Sequence, residues 1–453
     1  MISKYNIRKI WYGILVAVIF NNTLFAQSIL DTYIAKGIES NQSIKQQDFI
    51  LKKNIYALEE AKTLFLPNVA FSTTYTKADG GRTIDIPVGD MMNNVYSTLN
   101  QLTGSNSFPQ LQNQKVLINP DNFYDARFRI TQPILNTEIS YNKKIKTKQI
   151  DLQKTEVVLY KRELVKQIKT AYYNYLKATN AEKIYQAYLE LVTESERVNK
   201  KLFDNGKINR TALLRSQNEI SKIEASIVAA SKTKESAQYY FNFLLNRPSS
   251  DSILIDEITT LPEENFLSGT NVENREELAK LKIAGSINED LTGLAKSYFI
   301  PKIGASLDLG SQAFDWKFNK QSQYYLFGVS LEWNVFAFGK NRYIIKQALA
   351  EQQVISSQSD YIEQQLLTEL KVRQANMQSA IKQYQAAKSQ LNTSQMYYND
   401  LTKLYKEGMA IYIELLDSQN QWVDAQLQAN IALFDTWIAF TAIERANASF
   451  NIQ

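Results

Sequence analysis

The sequence predicts an α+β chain built twice over, each half a helix, a pair of amphipathic strands and a long helical hairpin. Three observations predict it. The chain carries only 15 Gly and 8 Pro in 453 residues, well below the usual share of turn formers, so its elements are long and its turns few. Two stretches of about 200 residues carry the same landmarks in the same order. Within each, the hydrophobic period switches from two to between three and four, the change from strand to helix.

Composition removes much of enzymology. With 44% apolar and 21% charged residues, the chain is too hydrophobic to stay disordered. It has no Cys and no His, which excludes thiolate and imidazole metal sites, a Ser-His-Asp triad, a disulfide framework and a lipid carried on an N-terminal Cys. No Gly-Lys-Ser or Gly-Lys-Thr loop for a nucleotide appears. No residue therefore stands out as catalytic, cofactor-binding or metal-ligating. The formal charge of +5 loses Lys4, Arg8 and Lys9 with the segment described next, and a nearly neutral chain offers no footprint for nucleic acid.

Residues 1–26 read as an export signal: Lys4, Arg8 and Lys9, an unbroken apolar run over 10–20, polar Asn21, Asn22 and Thr23, then small Ala26. The run spans about 16 Å as a helix, short of the roughly 20 residues that cross a bilayer. Cleavage near Ala26 is expected, with an uncleaved anchor as the alternative. No later run reaches 18 apolar residues, so passage through a membrane would have to be by β-strands.

The repeat is legible in two places. Residues 202–218 (LFDNGKINRTALLRSQN) and 404–420 (LYKEGMAIYIELLDSQN) align without a gap, and residues 62–71 match 296–305. The first copy holds about 32 more residues between these landmarks, within 77–122. That stretch contains Gly80, Gly81, Pro87, Gly89, Gly104, Pro109 and Pro120 and reads as a long loop. A period this long means a duplicated domain rather than a solenoid. The chain divides into the signal (1–26), a first repeat (27–250), a connecting segment (251–270) and a second repeat (271–453).

Strands are expected near 68–77 and 123–135, and near 301–311 and 323–336. Val69, Phe71, Thr73 and Tyr75 share one side of the first, and Phe128 and Ile130 alternate with Arg127 and Arg129 in its return strand. In the second copy Leu307 and Leu309 flank Asp308, and Tyr325, Phe327, Val329 and Trp333 alternate against a side that carries Glu332. One face is apolar and the other polar or charged. The same alternation serves a lipid-facing barrel and a soluble antiparallel sandwich. Four strands are too few for a sandwich core, so they need other copies of the chain, or helices, to cover them.

Helical hairpins are expected over 137–246 and 340–450. Between Asn136 and Phe203 there is no Gly or Pro, and Leu164, Ile168, Ala171, Tyr175 and Ala178 recur at spacings of four and three. Leu366, Leu370, Met377, Ala380 and Tyr384 lie on a similar stripe in the second copy. This is coiled-coil periodicity, and a helix of about 65 residues is about 100 Å long, more than one globule can bury. Gly206 and Gly408 mark where each long helix turns back.

Taken in order, these residues resemble a known family. The export signal, the two copies of helix, strand and return strand, Leu66-Pro67, Gln132-Pro133-Ile134-Leu135, the run Leu244-Leu245-Asn246-Arg247-Pro248, and the doubled Gly and Leu-Leu element (Gly206 with Leu213 and Leu214, Gly408 with Leu415 and Leu416) are similar to the TolC-like outer membrane efflux proteins. The likeness covers essentially the whole mature chain. It implies a homotrimer in which four strands per copy close one twelve-stranded barrel in the outer membrane, continued through the periplasm by a helical tunnel. Leu307, Leu309, Phe327, Val329 and Trp333 would then face lipid, and Arg127, Arg129, Asp308 and Glu332 a watery lumen. The 77–122 loop would lie outside the cell. Phe65, Phe299, Trp333, Phe336 and Phe338 would fit an interfacial aromatic girdle or, equally, ordinary packing.

Glu414 and Asp417 are three residues apart, on one helix face. Spacing alone makes them a solvated face. The resemblance makes them, with Tyr405, a gate at the periplasmic entrance, where rings of acids favour cations. Ala212 and Arg215 stand at the equivalent positions of the first hairpin. The function implied is a passive exit duct for small molecules, not an enzyme, with no cofactor. Its partners would be a periplasmic adaptor docked at the hairpin tips (Gly206, Gly408, Leu213, Leu214, Leu415, Leu416), an inner membrane pump and outer membrane lipid. A duct for type I protein secretion would share the fold. From another class, a periplasmic coiled-coil scaffold or adhesin would share the helices without conducting.

Overall fold

The structure, a computed structural model, describes residues 28–262 and 272–450. The export signal read at 1–26 and much of the later part of the connecting segment lie outside the described residues. Ser28 caps the first helix by accepting a hydrogen bond from the Asp31 amide (3.1 Å). Helix α1 (Ile29–Ser40) gives way at extended Asn41 to α2 (Gln42–Thr63). Strand β1 (Asn68–Thr76) follows, then β2 (Thr83–Ile86), α3 (Val88–Thr103), β3 (Gln114–Leu117) and β4 (Phe123–Leu135). The long helix α4 (Thr137–Asp204, 68 residues) turns into α5 (Arg210–Leu244, 35 residues). The second part runs through α6 (Glu276–Lys296), β5 (Lys302–Phe314), β6 (Gln323–Glu332), α7 (Lys340–Lys406, 67 residues) and α8 (Tyr412–Ala446, 35 residues). Neither α4 nor α7 contains a Gly or Pro, which is why each continues without a break. Among the described residues no helix is long and apolar enough to cross a membrane.

The chain forms two compact units, and neither is one half of the sequence. One comprises the described residues up to 53, 150–285 and those from 354 onward; the other comprises 54–149 and 286–353. The crossings fall inside α2, α4, α6 and α7, so each unit draws on both halves.

In the helical unit, Tyr33 and Ile34 of α1 pack with Leu164, Ile168 and Tyr172 of α4, Phe241 at the end of α5 and Phe434 of α8. The polar tips of the buried tyrosines are used: the Leu254 amide donates to the Tyr33 hydroxyl (2.8 Å) and the Asp256 amide to that of Tyr172 (2.9 Å). A charged cluster ties the start of α6 to α4 and α8. Arg275 forks onto Glu277 (2.9 and 2.7 Å) and donates to the Ala446 carbonyl (3.0 Å). Arg445 reaches Glu277 (2.9 Å), Arg162 pairs with Glu276, and Lys169 pairs with Glu444 (2.9 Å).

In the strand-bearing unit, a four-stranded antiparallel sheet has the order β1-β4-β5-β6. Its central pair joins strands from the two halves of the sequence: Arg129 stands opposite Asp308 and Phe128 opposite Leu309. Strand β5 runs to Phe314, past the expected 311, because β4 offers it partners up to Phe123. Strand β6 stops at Glu332, short of 336. Its last partner is Lys302, and Pro301 before it has no amide to extend the ladder. Trp333 is therefore not a strand residue, which corrects its place among the alternating positions.

The stretch 77–122 is not an irregular loop either. Strands β2 and β3 pair as a two-stranded ribbon, and α3 is laced to the returning chain by side-chain amides. Asn93 donates to the Leu111 carbonyl (2.9 Å) and accepts from its amide (2.7 Å), and Asn100 does the same with Phe108 (2.8 and 3.1 Å). Each amide side chain thus stands in for a strand partner.

Candidate functional site

The residues singled out in the sequence gather in two places, one in each unit. The first is the pair of hairpin turns. Gly206 (φ +66°) and Gly408 (φ +76°) adopt the left-handed conformation that ends a helix. Lys207 N–H bonds back to the Leu202 carbonyl (2.8 Å) and Met409 N–H to that of Leu404 (2.9 Å), the same closing bond in both hairpins. A side chain at either glycine would meet nothing within 4 Å, so what the turn requires is the backbone angle, not the space.

The two hairpins restart differently. In the first, the Asn209 side chain accepts from the Ala212 amide (3.3 Å), an ordinary N-cap. In the second, Ile411 has no polar side chain, and the Glu414 carboxylate reaches back to accept from the Ile411 amide (3.1 Å). Glu414 is thus engaged at the N-terminus of α8, where a negative charge is favoured. Asp417 accepts from the Gln421 side chain (2.7 Å). Both carboxylates remain exposed on one face of α8.

The leucine pairs are not equivalent. Leu415 and Leu416 are buried with Tyr412 against Ala212, Tyr398 and Tyr405, so they hold the tip together and offer no docking surface, which corrects their assignment to adaptor docking. Leu213 is half-buried, while Leu214 is 50% exposed. Of the four, Leu214 is the one that presents itself to solvent.

Tyr405 donates to the Asn199 side chain (2.7 Å), tying α7 to α4, and burial raises the pKa of its hydroxyl. Around this bond lies a polar layer that sequence reasoning missed. Gln419 donates to Ser195 (3.2 Å) and Tyr188 to Asn420 (3.0 Å). Asn199, Ser216 and Gln419 are almost fully buried. Tyr412 is buried in the same layer, with Ser216 and Asn199 beside its hydroxyl, and Gln419 Oε1 is left without a partner among the described residues. The available signal was Asn and Ser on the apolar stripe of a coiled coil, where a polar residue specifies pairing at a cost in stability. Beside the layer, between the two turns, is a cleft of about 880 Å³ whose lining includes Leu202, Lys207, Arg215, Tyr405, Lys406 and Ile413.

The second place is the sheet. Register puts Arg127, Arg129, Asp308 and Glu332 on one face. Arg129 forks onto Asp308 (2.7 and 2.6 Å), Arg127 bonds Asp125 (2.8 Å), and Tyr324 donates to the same Asp125 (2.8 Å). The Asp308 side chain is only 3% exposed beneath the two guanidinium groups. Leu326, also on this face and exposed, breaks the pattern. On the opposite face Leu307 pairs with Phe327, Leu309 with Tyr325 and Ala305 with Val329, and Phe128 and Ile130 continue the surface. Phe128, Leu309, Tyr325, Phe327 and Val329 are all exposed; Leu307 and Ile130 are half-buried. Strands β1 and β6 each have one open edge. At the β5–β6 turn Trp316 stacks on Tyr75 and Tyr124 (centroids 5.1 and 5.4 Å), and Phe65, Phe299, Trp333, Phe336 and Phe338 are exposed.

Residues 268–447 match the model of a family described as outer membrane efflux protein. No curated protein matches the chain. Several solved structures do. The outer-membrane channel OprN is 16% identical, with 93% of this chain and 90% of that one aligned at a TM-score of 0.73. The Campylobacter jejuni outer membrane channel CmeC is 13% identical over 94% and 86% (TM-score 0.74). The outer membrane protein VceC of Vibrio cholerae is 15% identical over 92% and 95% (TM-score 0.72). The resemblance to the TolC-like outer membrane efflux proteins therefore holds: residues 268–447 carry that family's model, and the chain shares its fold with solved outer membrane channels over 92–94% of its length.

Proposed function

We propose that this protein is the outer membrane channel-tunnel of a tripartite efflux system, a passive duct through which small molecules leave the cell. One observation carries the reading. A four-stranded sheet exposes an apolar face, carries its charges on the other face and leaves both edges open. In water such a sheet is an aggregation hazard; in lipid its bare edges are prohibitive. Three copies joined edge to edge, β6 of one to β1 of the next, close a ring with no edges, apolar outside and polar inside.

In that ring Phe128, Leu307, Leu309, Phe327 and Val329 face lipid. Arg127, Arg129, Asp308 and Glu332 face the lumen. Arg129 and Asp308 neutralise each other, as do Arg127 and Asp125, so the barrel wall contributes little net charge and ion selectivity falls to the tips. There Glu414 and Asp417 of three copies form two acid rings that favour cations. Tyr405 and Asn199 hold the second hairpin against the first. Exposed Leu214 and the cleft between the two turns receive the helical hairpin of a periplasmic adaptor, which couples the duct to an inner membrane pump.

The test is conductance of the purified mature protein in a planar bilayer, wild type against Glu414→Gln with Asp417→Asn. Discrete cation-selective steps that lose selectivity in the double variant are expected. Steps with unchanged selectivity would keep the duct and discard the acid rings. No steps, even after Tyr405→Phe loosens the tip, would overturn the duct in favour of a non-conducting scaffold.

A further inference from the structure

The excursion between β1 and β4 has two apolar faces that nothing in its own copy covers. On the ribbon, register places Ile84, Ile86 and Val116 on one side, with Ile118 continuing it; all four are exposed, Ile84 to 56%. On α3, Met91, Val95 and Leu102 fall at spacings of four and seven, one helical stripe, and Leu102 is 78% exposed. Charge is nearly absent. Residues 86–114 contain a single charged side chain, Asp90, in a chain that is 21% charged overall. Loss of charge together with exposed Met, Val and Leu marks the core of a protein interface rather than a solvated loop.

Symmetry and topology say what covers these faces. Identical subunits in a ring meet through heterologous contacts, each copy presenting two different surfaces that fit each other. One module with two distinct uncovered apolar faces meets that requirement. It is also rooted at the right place, because it leaves the sheet from β1, the open edge at which the next copy's β6 would pair. The Asn93 and Asn100 bonds keep α3 fixed to the returning chain, so the module enters the contact already ordered and little entropy is lost.

We infer that the occupant is a second copy of this chain: the ribbon face of one excursion packs on the α3 stripe of its neighbour, and three such contacts form a cap around the pore mouth. The inference rests on the ring proposed above. The protein has no native Cys, so disulfide mapping is clean. Ile84→Cys or Val116→Cys is paired with Met91→Cys, Val95→Cys or Leu102→Cys in the full-length protein in detergent, oxidised, and run on denaturing gels, with native mass measured in parallel. Ladders to the trimer that need both cysteines and vanish on reduction are expected, with single variants showing none. A native trimer in which no pair gives a ladder would overturn the cap and leave the ring standing, as would a disulfide confined to one chain. A monomer by native mass would overturn both.

Discussion

Replacing Glu277 with Gln is the most exacting check on the charged cluster that joins α6 to α8. Burial pushes the Glu277 carboxyl up, but the Arg275 fork and the Arg445 charge outweigh it and hold the group at about 2, against 4.5 when free. A group whose folded pKa is depressed stabilises the fold above its unfolded value and loses that contribution as pH falls toward the folded one. The contribution is therefore complete at neutral pH, starts to fade near pH 4.5 and is gone near pH 2. At about 1.4 kcal/mol per unit it amounts to about 3 kcal/mol. Glu444 works in the opposite sense: burial outweighs Lys169 and raises its pKa, so its protonation in mild acid partly offsets the loss in the wild type. The assay is thermal unfolding followed by circular dichroism in detergent, wild type against Glu277→Gln, from pH 7 to pH 3. At pH 7 the variant should be less stable by about 3 kcal/mol, and the gap should close as pH falls while the Glu444 contribution cancels between the two. A gap that stays constant with pH would refute the ionic reading and leave only lost packing.

Other outcomes follow from the same geometry. Gly408→Ala forces an L-residue into φ +76° and should cost about 1 kcal/mol; because open space surrounds the position, Gly408→Asn should recover most of it, measured as thermal midpoints. Val329→Arg should destabilise the membrane-inserted protein by about 2 to 4 kcal/mol while Ser330→Arg, on the other face, should not; equal effects in detergent-to-bilayer refolding would refute the facing assignment. Tyr405→Phe removes the 2.7 Å side-chain bond to buried Asn199, a cost of about 1 to 3 kcal/mol, and should raise the open probability in single-channel recordings. Leu214→Asp should weaken capture of a periplasmic adaptor's helical hairpin in a binding assay without shifting the thermal midpoint, since Leu214 is half exposed.

Long-range order was legible where periodicity ran unbroken. The stretch without Gly or Pro shows as the 68-residue α4, and alternation around Arg129 and Asp308 shows as two faces in one register. What stayed hidden depended on partners distant in sequence. Trp333 keeps the alternation of β6 but has no amide opposite it, and alternation does not report pairing. The Gly- and Pro-rich 77–122 stretch folds because Asn93 and Asn100 mimic peptide groups, a use of Asn that composition reads as loop. Glu414 reads as a free acid until the missing side-chain cap at Ile411 is noticed; a capping Glu three residues past an apolar N-cap was the signal.

The same contrast explains why two nearly superimposable sequence motifs do different work. Tyr398, Tyr405 and Tyr412 of the second hairpin stand where the first has Glu196, Phe203 and Arg210. The tyrosines supply an apolar wall, with Tyr398 stacked on Trp422 (4.9 Å), and Leu416 sinks into it to 8% exposure. Leu214, where the first hairpin has no such wall, is 50% exposed. The two hairpins are thus divided: the second buries its leucines and caps its helix with Glu414, while the first leaves Leu214 exposed and caps its helix with Asn209. If that division is what separates gate from docking surface, exchanging the wall should exchange the roles. Glu196→Tyr with Arg210→Tyr should bury Leu214, measured as loss of labelling at Leu214→Cys in this Cys-free chain, and should abolish adaptor capture while leaving cation selectivity to Glu414 and Asp417. Labelling that persists would show that the leucines are placed by the turn itself and not by the aromatic wall.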